Sequence, residues 1–171
     1  MARIPYVESE NAHWLTREIL ARRNNRNIHR MLGHSGPLAD AFVRLATTLR
    51  YESELDPALR EIAILRVGVL SGATYEVTAH RVHARNAGLS DAQIAAVEAG
   101  NDSAAVLTPL QQSVMRFTDD VVTNVRASDA TFSPLKAELG PRPLVELVVA
   151  IGFYMAACRF LETFDIDVMP T

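Results

Sequence analysis

The chain has 171 residues, 49% of them hydrophobic and 22% charged, with a formal net charge of −3. That balance excludes wholesale disorder, and the acidic total argues against a nucleic-acid-binding domain. A lone cysteine, Cys158, excludes an internal disulfide, a Cys-rich zinc site and a Cys-x-x-Cys redox pair.

The length fits one domain, residues 1–171, large enough to bury a core without disulfide or metal staples. The start, Met1-Ala-Arg-Ile-Pro-Tyr, lacks the continuous apolar segment of a signal peptide, which points to the cytoplasm. Residues 1–50 hold eight Arg against four acids, and the rest hold nine basic residues against sixteen acids. Arg17, Arg22, Arg23, Arg26 and Arg30 read as a solvated helix face rather than an anion site.

An amphipathic helix is expected over Glu8–Arg23. After the turn around Gly33-His34-Ser35-Gly36-Pro37, a second helix should run from Pro37 to about Leu49. Asp56-Pro57 has the form of an N-cap followed by proline at the first helical position, opening a helix to about Leu70. Thr74 to Ala87 follows, with Gly88 placed to end it. Ser90 and Gln93 fit a capping box for a short helix ending at Gly100. Thr108-Pro109 opens the next, to about Val125, and Ser133-Pro134 starts another short one. The chain finishes with Pro143–Phe164. Its longest charge-free run, Leu147–Cys158, is too short for a membrane span of about 20 residues, so this helix should be buried. No segment alternates with period two, and the class is all-α: a bundle of about seven helices.

Three ionisable residues share one helix face. Glu76, His80 and His83 fall within an arc of about 60° among the small residues Ala73, Val77, Ala84 and Ala87. A Glu–His pair at i,i+4 can hydrogen-bond directly and raise the basicity of the imidazole. On the preceding helix, Glu61 lies beside Ile64, Leu65 and Gly68, where burial is expected to push its pKa upward unless it is paired.

These residues carry a resemblance. Leu59-Arg60-Glu61-Ile62-Ala63-Ile64-Leu65-Arg66-Val67, then Tyr75-Glu76 with His80, then Ala87-Gly88-Leu89-Ser90, resemble the carboxymuconolactone decarboxylase family, whose superfamily includes the alkyl hydroperoxidase D proteins. The likeness is densest over residues 55–100 and leaves residues 1–50 as an N-terminal helical extension. It implies an all-α fold, homo-oligomers (trimers or hexamers), and a site built from Glu61 and His80. In the hydroperoxidase branch the second helix reads Cys-x-x-Cys-x-x-x-His. Here Ala73 and Glu76 stand at the thiol positions, so the dithiol peroxidase reaction is disfavoured, and Cys158 reads as a small core residue.

The implied chemistry is acid–base: decarboxylation, or a related lyase, isomerase or hydrolase reaction, on a small lactone or carboxylated carbonyl compound. His80 would be the principal acid/base, Glu76 its orienting partner and Glu61 a proton relay. Tyr75 and His83 are candidates for substrate contact. A carboxylated substrate would want a guanidinium, and Arg66 and Arg81 are nearest in sequence, but both point away from the His face and stay unassigned. Two alternatives remain open. One is a metal site made of Glu61, Glu76, His80 and His83; the family likeness argues against it, so no metal or cofactor is expected. The other is a non-catalytic oligomeric ligand-binding module, which a closed cluster would favour and a pocket reaching His80 would not. The expected partner is a small molecule, with neither nucleic acid nor membrane.

Overall fold

The structure is a computed structural model that describes residues 1–168. The regular elements among them are helical: a 3-10 turn at Ser9–Asn11, then α1 (Trp14–Arg22), α2 (Asn27–Leu32), α3 (Gly36–Tyr51), α4 (Pro57–Leu70), α5 (Thr74–Asn86), α6 (Asp91–Ala99), α7 (Pro109–Asn124), α8 (Asp129–Leu139) and α9 (Pro141–Thr163). The all-α expectation holds. Nine helices stand among the described residues where about seven were expected. Part of the excess is α2, too short to leave a periodic signature.

Capping chemistry set the best-placed boundaries. Asp56 accepts hydrogen bonds from the N–H groups of Ala58 and Leu59 at 2.9 and 3.1 Å, with Pro57 at the first helical position. Complete capping boxes open α6 (Ser90 with Gln93) and α7 (Thr108 with Gln111). Two helix starts differ from expectation by four residues or more. The first long helix begins at Trp14 rather than Glu8, where His13 Nδ1 accepts from the Leu15 N–H at 3.3 Å. The eighth begins at Asp129, with Pro134 inside it, because the Asp120 carboxylate accepts from Ser128 N–H and Thr131 Oγ1 at 2.6 and 2.7 Å and anchors the preceding turn.

The chain divides into two compact units. The first comprises residues 1–52 and the described residues from Phe160 on. Its core is Ile19, Leu32 and Ala39, with Ile28, Phe42, Val43 and Phe160 packed against it. The absence of a side chain at Gly33 permits this packing, since a Cβ there would lie 2.6 Å from Thr16 Cγ2. The chain ends are tied within this unit: Arg3 N–H donates to Phe164 O at 3.0 Å, and the Tyr6 hydroxyl donates to Asp167 Oδ2 at 3.0 Å.

The second unit, residues 53–159, is built around α4. Every residue from Leu59 to Gly68 is buried, with α5, α6 and α7 packed against the helix. Arg66 ties three helices together. Its guanidinium donates twice to Asp119 on α7, at 2.8 and 2.9 Å, and once to the Val97 carbonyl of α6, at 3.0 Å. Glu146 on α9 accepts from Ser53 Oγ and the N–H groups of Glu54 and Leu55, at 2.7, 2.8 and 2.9 Å, which pins the loop that leads into α4. The α9 helix is long and apolar enough to cross a bilayer, but half of its apolar window is buried within the protein.

Candidate active site

Burial of α4 on all sides carries Glu61 into the interior, where it is 1% exposed. On α5, the i,i+4 spacing sets Glu76 and His80 on one face, each 5% exposed. The two helices meet so closely at Gly68 that a Cβ there would lie 3.0 Å from Val77 Cγ2. That approach brings Glu61 Oε2 to 2.6 Å from His80 Nδ1, while Glu76 Oε1 lies 2.9 Å from His80 Nε2. Each ring nitrogen therefore faces a carboxylate oxygen.

A neutral imidazole carries a single N–H, so two carboxylate partners are both served only when the ring is protonated. Burial by itself pushes the His80 pKa down. The charge of Glu76 and the hydrogen bonds to Glu61 and Glu76 outweigh it and raise the value to about 9. Burial likewise pushes Glu61 up, but the hydrogen bond from His80, the charge of that ring, and then Arg60 and His83 hold its pKa below the usual carboxylate range. The upward shift expected for Glu61 is thus reversed, because its partner is a cation rather than an apolar wall.

Arg60 completes the charge balance. Its Nε is 3.5 Å from Glu61 Oε1, and it is buried. The Arg60 guanidinium thus stands with His80 against the buried Glu61 carboxylate, and pairing of this kind is how ionisable groups are accommodated in an interior. Two rings flank His80. Tyr154 from α9 stands edge-on to it with centroids 4.9 Å apart, and His83 does so at 5.1 Å. Phe153 in turn packs at right angles on Tyr154, at 5.2 Å.

The structure thus brings together Glu61, Glu76, His80 and His83. Tyr75 is buried in the first turn of α5. Arg60 and Tyr154 were not singled out from sequence as site residues, although Arg60 is adjacent to Glu61 and Tyr154 falls in the C-terminal stretch of weaker family likeness. Ala73, at the first thiol position, is fully buried, as is Cys158. Among the described residues, no group of three or more His, Cys, Asp or Glu is disposed to hold a metal ion. Both nitrogens of His80 already face carboxylates, so the ring has no lone pair to offer one.

The family model for carboxymuconolactone decarboxylase matches residues 36–120, a span that contains Glu61, Glu76 and His80. Comparison with curated proteins gives no match. Among solved structures, an uncharacterised peroxidase-related protein from Ralstonia eutropha, described as an alkylhydroperoxidase AhpD core, superposes with a TM-score of 0.84 at 18% identity, over 98% of this chain and 92% of its own. A variant of the debrominase Bmp8, in complex with 2,3,4-tribromopyrrole, gives 0.80 at 14% identity, over 99% and 94%. A protein of unknown function from Agrobacterium tumefaciens gives 0.73 at 21% identity, over 82% and 96%. At these identities the likeness is one of fold.

Proposed function

Because this chain belongs to the carboxymuconolactone decarboxylase and AhpD-like superfamily, we propose that it is an enzyme of acid–base chemistry, acting on a small lactone or carboxylated carbonyl compound. The observation that supports this reading is His80 held between two buried carboxylates, which raise its pKa to about 9. In a decarboxylation, the bond between the substrate carbon and its carboxylate breaks, carbon dioxide leaves, and the electron pair is delocalised as an enolate. His80 gives that carbon its proton and becomes neutral. Glu76 orients the ring, and the ionised Glu61 stabilises the imidazolium; once product leaves, the neutral ring takes up a replacement proton that comes from solvent by way of the Glu61 carboxylate. Lyase chemistry is the preferred form, and isomerase or hydrolase steps draw on the same groups.

The test is activity profiling on unsaturated lactone acids, with Glu61→Gln and His80→Ala as controls. Each substitution should lower kcat by about a hundredfold or more, the size expected for loss of a positioned proton donor. Turnover unaffected by both substitutions overturns the mechanism. Peroxide consumption with a dithiol reductant should stay at background and be unchanged in Cys158→Ser, since the thiol is buried and the chain holds no second cysteine to resolve a sulfenic acid.

A second reading, a non-catalytic ligand-binding module, is favoured by one observation: Glu61, Glu76 and His80 are all closed off from solvent. It predicts ligand binding without turnover on any of these substrates. A cytoplasmic site of action and assembly into trimers or hexamers belong to the same proposal. The exposed valines of α9, Val145, Val148 and Val149, support assembly.

A further inference from the structure

Glu61, Glu76 and His80 are all buried. A group that gives up a proton in each cycle must regain one, so a cluster closed in this way needs a route to water. We propose that His83 is that route, a proton shuttle between solvent and the buried Glu61–His80–Glu76 cluster. Its use in turnover rests on the acid–base reading, whereas the route itself belongs to the ligand-free protein.

The geometry of His80 sets the problem. Nδ1 faces Glu61 at 2.6 Å and Nε2 faces Glu76 at 2.9 Å, so a proton reaches either nitrogen by way of a carboxylate. An ionised carboxylate has lone pairs for a second donor. Arg60, Tyr154 and His83 stand against this triad. Arg60 is buried, and a guanidinium does not give up its proton in a protein. Tyr154 is buried too, and a phenol ordinarily keeps its proton to about pH 10. His83 is the one of the three that is partly exposed, and an imidazole can both take and give a proton between about pH 5 and 8. Helical spacing sets it one turn beyond His80 on the same face of α5, with the rings edge-on at 5.1 Å between centroids. Its charge also acts on Glu61 and helps to hold that carboxylate ionised. His83 is thus coupled to both partners of the Glu61–His80 hydrogen bond while reaching the surface. The transfer balances: a solvent acid protonates His83, His83 passes a proton to Glu61 and becomes neutral, and Glu61 passes it to Nδ1 of a neutral His80 and is a carboxylate again. Run backwards, the same steps release a proton to water.

The experiment follows the ring N–H protons of His80 by NMR, in the full chain carrying isotope-labelled histidine near neutral pH, and measures their exchange with water. The His80 signals are those lost in His80→Gln. His83→Phe keeps a ring against His80 but carries no titratable nitrogen. It should slow the exchange by about a hundredfold, the lower end of what a positioned acid–base group contributes, and leave the His80 nitrogen shifts those of the wild-type ring. His83→Ala should slow it as well, and free imidazole, which fits the space left by the ring, should restore part of the rate. Exchange in His83→Phe as fast as in wild type, or exchange in His83→Ala that imidazole does not speed up, would each overturn the proposal. A purely packing role for the ring predicts both of these results. The two readings fail separately. Slowed and rescued exchange without turnover of lactone acids sinks the acid–base reading and keeps the shuttle. Turnover that is lost in His80→Ala, with exchange that ignores His83, sinks the shuttle and keeps the acid–base reading.

Discussion

At His80, two carboxylate contacts define a charge state, and that state has a pH signature. The folded pKa of about 9 lies above the ordinary 6.5, so the folded protein holds this proton more tightly than the unfolded chain does. The resulting stabilisation is full below about pH 6.5 and is lost as pH rises through 9, with a slope of at most about 1.4 kcal/mol per pH unit. Glu61 works in the opposite sense: its pKa is lowered, so its contribution is present above the ordinary carboxylate value of 4.5 and is lost on acidification. His29 adds an acid limb in the first unit. Burial, then Arg23 and Arg26, lower its pKa to about 4, so the unfolded chain takes that proton first and stability falls as pH drops from 6.5 toward 4. Thermal unfolding across pH should therefore show a maximum near neutrality. His80→Gln should flatten the alkaline side, and His29→Gln the acid side; an unchanged alkaline limb in His80→Gln would show that the ring does not carry this proton. His80→Ala removes the cation that Glu61 and Glu76 share and should cost about 3–5 kcal/mol of stability. Glu76, His80 and His83 were legible from helical spacing, since a face is a property of one helix. The direction of the Glu61 shift was not, because it depends on which cation a neighbouring helix brings.

Individual helices were legible in proportion to their end signals. Asp56-Pro57, Ser90 with Gln93, and Thr108 with Gln111 each mark a boundary that the structure keeps, because a cap satisfies backbone donors within a few residues. Asp56→Ala should therefore destabilise the protein by about 1 kcal/mol, measurable by chemical denaturation. The start of α8 lies four residues before the expected Ser133-Pro134, because its anchor, Asp120, lies on the preceding helix. Two glycines give opposite expectations. A Cβ at Gly33 would meet Thr16 Cγ2 at 2.6 Å, so Gly33→Ala should destabilise the first unit. Gly152, inside α9, has nothing within 4 Å of the same position, so Gly152→Ala should stabilise the isolated chain by about 0.5–1 kcal/mol. A loss of stability in that variant would mean that something beyond this chain packs against α9.

For the whole molecule, the exposed apolar stripe of α9 is the feature most at odds with a solitary protomer. Light scattering should report an assembly larger than one chain, and Val148→Glu should shift it toward the monomer without altering the helical content. Local pattern was enough for the all-α class, the capped helix starts, the identity of the Glu–His face and the lack of a thiol pair. Periodicity, end chemistry and composition are all properties of short stretches of chain. Tertiary packing decided the charge on His80, the pairing of Arg60 with Glu61, the edge-on contact of Tyr154, and the separate fates of Arg66 and Arg81, one buried on Asp119 and one lining a groove. Each of these depends on the distance between groups, or on the solvent around them, and only the packed fold sets either.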